Sequence, residues 1–226
     1  MESAHIGVHP EWHLHGWVFH SDTLISAWIV TAVLIGFAIF VRVIMKMKPG
    51  LVQSAVELLV IGLDGMLLDR MGEKGRKYFP FVATIFLFIL CSNWLGVMPL
   101  ELKPPTADLN TTVGLALLTI FLVQAFGMIE KGPISYFKRF FEPNPAFFLL
   151  NVIEEVAKPL SLALRLFGNI FGKETILVIL SGLVALPLLF PIPILALSLL
   201  IGAIQAYIFM LLAIFYISMA LAEGGH

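Results

Sequence analysis

Cysteine, charge and nucleotide-binding loops are what this sequence has least of. Of 226 residues, only 13% are charged and one, Cys91, is a cysteine. A lone thiol inside an apolar run excludes an intramolecular disulfide and a CxxC metal site, and reads as a small buried hydrophobe. There is no Walker A loop, no GxGxxG, no GxSxG and no HExxH. Those absences remove the commonest signatures of nucleotide binding, serine hydrolysis and zinc proteolysis. No basic cluster is interleaved with aromatics, which sets nucleic acid aside as a partner. Lysine and arginine are missing before Arg42, so no basic segment precedes an apolar core as a signal peptide requires. No internal repeat appears, which argues against a transporter built from inverted halves.

What is present is apolar side chain. Hydrophobic residues make up 59% of the chain, and mean hydropathy is +0.97. Net charge is −1. Such a composition belongs to a polytopic membrane protein, because a chain this short cannot wrap that much apolar surface in water. The expected fold is all-α: about five transmembrane helices and one surface or amphipathic helix in a single membrane domain. Residues 1–22 carry five histidines (His5, His9, His13, His15, His20) and read as a non-cytoplasmic segment, solvated or interfacial, with no tight metal template. Spans are expected over 24–45, 78–98, 111–129, 147–183 and 194–221, each long enough to cross about 30 Å of hydrocarbon. The last two are long and tilted. Residues 51–71 are interrupted by Gln53, Glu57 and Asp64 on one face, which suits a helix on the membrane surface or one packed on another subunit.

Orientation follows from the cations. Arg42, Lys46, Lys48, Arg70, Lys74, Arg76 and Lys77 flank or fill the first connection. Lys131, Lys138 and Arg139 lie in the third, and the opposite side holds only Lys103. The positive-inside rule then puts the N-terminus outside and the C-terminus in the cytoplasm.

The chemistry concentrates in Lys158-Pro-Leu-Ser-Leu-Ala-Leu-Arg165-Leu-Phe-Gly-Asn169-Ile-Phe-Gly-Lys-Glu174. An arginine at mid-bilayer costs roughly 2.5–3.5 kcal/mol on translocon scales, so it needs a partner or a use. At 100° per residue Glu154, Lys158, Ser161, Arg165, Asn169 and Gly172 fall within about 40° of one line. Glu174 points the other way, about 13.5 Å further along the axis. Arg165 can fix helix register as a buried pair, or act as an electrostatic barrier or counter-ion. Glu174 is a candidate proton carrier, or an interfacial carboxylate near the outer headgroups. Asn169 and Gln205 can orient water or hydrogen-bond across helices. Ser198 and Gly202 give the last helix a small, polar face with Gln205. Glu154, Glu155 and Lys158 form a cluster nearer the cytoplasmic end, which in the plainest reading is an interfacial salt bridge.

These residues resemble a known family. Lys158-Pro-x-Ser-Leu-x-Leu-Arg165-Leu-Phe-Gly-Asn169, then Glu174, then Gln205-Ala-Tyr-Ile-Phe, is similar to subunit a of the F-type ATP synthase, bacterial type. Asn93-Trp-Leu-Gly-Val-Met-Pro99 and Pro105-Thr-Ala-Asp108-Leu-Asn-Thr-Thr resemble two further stretches of that family. The resemblance implies a proton-channel stator subunit beside a rotating c-subunit ring, with the two long C-terminal helices facing that ring. It implies that Arg165 attracts each ring carboxylate and blocks a direct proton shunt. An outer half-channel would run past Asp108, Asn169, Glu174, Ser198 and Gln205, and an inner one would open near Glu154, Glu155 and Lys158. Some members carry a histidine two turns before the glutamine; Ser198 stands there here, which gives Glu174 more of the role. The implied partners are the c-ring, the subunit b peripheral stalk, the remaining ATP synthase subunits and lipid. The implied location is the bacterial plasma membrane. No cofactor or metal is implied, and such a chain is not an enzyme alone. Without the resemblance, a stand-alone ion channel or transporter gated by Arg165 fits the same residues.

Overall fold

The structure is a computed structural model, and it describes residues 11–14, 17–46, 49–98, 103–141, 144–183 and 191–221. Among the described residues seven α-helices dominate: α1 Ser21–Ile44, α2 Leu51–Met71, α3 Phe79–Leu95, α4 Leu109–Lys131, α5 Pro133–Lys138, α6 Phe148–Leu183 and α7 Pro191–Leu221. Ahead of them, strands β1 Glu11–Leu14 and β2 Trp17–His20 pair antiparallel, with Glu11 opposite His20. That hairpin is not among the sequence expectations. His5, His9 and His15 lie outside the described residues, as do the side chains of His13 and His20.

Local chemistry sets the boundaries. Asp22, in the first turn of α1, accepts from the Thr23 amide at 2.9 Å. Asp108 caps α4 by accepting from the Asn110 amide at 2.9 Å, which satisfies one of the orphan donors at a helix start. Gly72 ends α2 at φ 61° and sends its amide back to the Leu68 carbonyl. Gly132 ends α4 at φ 78°. Both positions need the left-handed backbone that glycine adopts cheaply. Between α2 and α3 a 3₁₀ turn runs Gly72–Tyr78. α6 stays helical through Pro159.

Among the described residues, four helical stretches are long and apolar enough to cross a membrane: Ser21–Ile44, Leu51–Leu95, Leu109–Lys131 and Leu195–Leu221. The second joins α2 and α3. The molecule is inside-out by aqueous standards, with Trp28, Val43, Leu58, Phe121 and Leu149 among its exposed large side chains. Such a surface calls for lipid or protein around it.

α7 is the central helix. It packs between α3 and α4; α4 also packs along α6, and α1 lies against α3. One apolar cluster joins Leu63 and Leu67 of α2 with Val82, Val123, Met210 and Ile214. A second joins Ile85 and Ile89 of α3, Ala116 and Ile120 of α4, Leu162, Ala163 and Leu166 of α6, and Ala206 and Phe209 of α7. This second cluster fixes the rotation of α6. Leu162, Ala163, Leu166 and Ile170 are buried, so Leu164, Arg165 and Gly168 must face outward.

Candidate functional site

Arg165 is exposed, and among the described residues it makes no hydrogen bond and no ion pair. Its outward direction follows from the burial of its neighbours. Four residues on, one turn or about 6 Å along the axis, Asn169 donates through Nδ2 to the Gln205 side-chain oxygen of α7. Gln205 is buried at 2% exposure, and its own Nε2 has no hydrogen-bond partner.

The contact between α7 and α3 lies just beyond. Asn93 Nδ2 donates to the Gly202 carbonyl at 3.2 Å, and Asn93 Oδ1 accepts from Thr106 Oγ1 at 3.0 Å. Trp94 Nε1 donates to the Leu199 carbonyl at 3.2 Å. Gly202 permits this approach, since a Cβ there would sit 3.1 Å from the Cβ of Asn93. Ser198 is buried one turn before Gly202. Asp108 is also buried and accepts from Thr23 Oγ1 of α1 at 3.5 Å. The hydroxyls of Ser26 and Ser92 are buried and unpaired on the same half of the bundle. Orphaned buried polar atoms are uncommon enough to need a physical reason.

The other polar group lies toward the start of α6. Lys158 Nζ is 2.6 Å from Glu155 Oε1 and 3.3 Å from Glu154 Oε1. It also sits 5.7 Å from the centre of the Tyr216 ring, within cation–π range. Glu155 accepts in addition from Gln124 Nε2 of α4, and Tyr136 Oη donates to the Gln124 oxygen. Glu154 is exposed, whereas Glu155 and Lys158 are largely covered.

Ten residues separate Glu155 from Arg165, about 15 Å of helix. The structure therefore brings together Asn169 with Gln205, and Glu154, Glu155 with Lys158, at two depths with Arg165 between them. Asp108 is held at the α1 edge by Thr23. Glu174 belongs to α6 by its backbone, and its side chain lies outside the described residues. Sequence reasoning missed Gln124, Tyr136 and Tyr216. Gln124 had a signal, being an amide inside an apolar run. Tyr136 had none, because its partner is chosen by the fold.

A helical, multi-pass membrane protein with separated polar clusters on one long helix is the class that fold and site define. Residues 24–218 match the family described as ATP synthase A chain, and the chain belongs to that family. It is 43% identical over 197 residues to ATP synthase subunit a of Moorella thermoacetica, which covers 87% of this chain and 89% of that one. It is 41% identical over 214 residues to ATP synthase subunit a 2 of Syntrophotalea carbinolica, covering 93% and 88%. With ATP synthase subunit a 1 of Pelobacter propionicus the figure is 39% over 208 residues, covering 90% and 89%.

Proposed function

We infer that this chain is the proton-conducting stator of a rotary ATP synthase, held beside a ring of carboxyl-bearing subunits. The observation that carries this reading is Arg165, turned outward from a packed helix and unpaired among the described residues. A guanidinium keeps its proton at physiological pH. It can attract an ionised carboxylate on a neighbour, but it cannot hand a proton on. Protons arriving from one side must then load the ring and leave from the other, which couples flow to rotation. The membrane potential supplies roughly 2.3 kcal/mol per charge per 100 mV for this.

The outer path passes Asp108, Ser198, Asn169, Glu174 and Gln205. The unpaired Gln205 amide and the Ser26 and Ser92 hydroxyls support a wet route there, since water satisfies such groups. The inner path opens at Glu154, Glu155 and Lys158. α6 is the fifth span, and α2 lies along the membrane surface. Partners in this reading are the c-ring, subunit b and the remaining synthase subunits in a bacterial plasma membrane, with the N-terminus outside.

The test is Arg165→Ala in the assembled complex. ATP-driven proton pumping should fall to background while the complex still assembles. Pumping that stays coupled in this variant rejects the assignment.

A further inference from the structure

The molecule holds a second concentration of charge that the proton path does not use. Where α2, α4 and α7 end together, a cavity of about 360 Å³ is lined by Arg70, Lys74, Lys77, Glu130, Lys131 and Leu221, among others. Four cations and one carboxylate are among the residues that line it. Lys77 is paired with Glu130, and Tyr78 Oη donates to the same carboxylate at 3.4 Å. Arg70 and Lys74 make no hydrogen bond or ion pair among the described residues. Nearby Arg76 differs, being 3.3 Å from Asp64 and 3.1 Å from Glu73.

The position of this cavity narrows its ligand. The apolar stretches Leu109–Lys131 and Leu195–Leu221 both finish here, so the cations stand at headgroup level. A second cavity of about 370 Å³ adjoins through Arg70, which lines both. It is walled by Met66, Leu211, Leu212, Ile214 and Phe215, with Asp69 as its carboxylate. Leu211 lies ten residues before Leu221 on α7, about 15 Å along the helix axis. A cationic cup at the surface continues as an apolar groove toward the bilayer centre.

We propose that the two cavities together bind one anionic phospholipid, its phosphate between Arg70 and Lys74 and an acyl chain along α7. Basic pockets between membrane helices are known to take such headgroups. A free phosphate shares the headgroup chemistry but would leave the groove unused. A zwitterionic lipid would fill the groove but bring its own ammonium beside Arg70 and Lys74. This site is independent of the proton path and stands on the chain alone.

The test uses the full-length chain, purified in detergent and offered equal amounts of phosphatidylglycerol and phosphatidylethanolamine. Bound lipid is counted by native mass spectrometry. Wild type should retain phosphatidylglycerol at least tenfold in preference, and millimolar inorganic phosphate should not displace it. Arg70→Gln with Lys74→Gln should weaken retention by about 30-fold, at about 1 kcal/mol per surface cation. Arg70→Lys with Lys74→Arg should restore it. Equal retention of both lipids, displacement by phosphate, or unchanged retention in the neutralised pair overturns the proposal. If the neutralised pair does not fold, the wild-type lipid and phosphate comparison decides alone.

Discussion

Gly127 shows how one missing atom can hold a site together. A Cβ there would clash with Tyr136 Cε2, so the ring packs against α4 at this point only because glycine allows it. That ring carries the hydroxyl that donates to Gln124, which in turn donates to Glu155. In an open helix Gly→Ala gains about 1 kcal/mol, whereas forcing a methyl into a filled space costs about 1–3 kcal/mol. The clash should win, and Gly127→Ala should lower stability in detergent by about 1 kcal/mol net, read from thermal unfolding. In a Tyr136→Ala background the sign should reverse. A Gly127→Ala variant that is stabilised with Tyr136 present would show that the ring does not rest there. Asn93 illustrates the same economy, since one amide joins α7 to the Thr106 loop through two bonds.

At the scale of elements, the long apolar runs and their Pro and Gly boundaries made most helices readable. The run expected over 111–129 is α4 at Leu109–Lys131, and that over 147–183 is α6 at Phe148–Leu183. Helix interiors were legible because a bilayer leaves the backbone almost no other choice. The hairpin of β1 and β2 was not, for it is only four residues per strand, too short for alternation to register. Helical phase gave the polar line through Lys158, Arg165 and Asn169, but phase alone cannot say which side is covered. That needed the partners: Leu162 and Leu166 meet Ile89 and Phe209 only because α3, α4 and α7 converge. Asn169 and Gln205 are far apart in sequence, and their meeting is likewise a product of packing. Tyr136 lies beyond any periodicity, in a short helix after Gly132.

Over the whole molecule the cations gather at one end. Arg42, Arg70, Lys74, Lys77, Lys131 and Lys138 fall at helix ends or connections on the side where α7 finishes, and Lys103 lies on the other. If the N-terminus is outside, as proposed, a membrane-impermeant maleimide should label Lys103→Cys in right-side-out vesicles, in a Cys91→Ser background. Lys138→Cys should react only when the vesicles are inverted. The reverse pattern would overturn the orientation. Gly168, one turn before Gly172 and beside Arg165, has nothing within 4 Å of where a side chain would begin. Gly168→Leu should therefore leave the unfolding temperature of this chain almost untouched, while slowing ATP hydrolysis and pumping together in the complex. Equal turnover with the leucine in place would mean that no neighbour sweeps past here. If the chain is the stator proposed above, what the glycine preserves is clearance, as between a bearing and its shaft: a gap the stationary part keeps for the sake of something that turns.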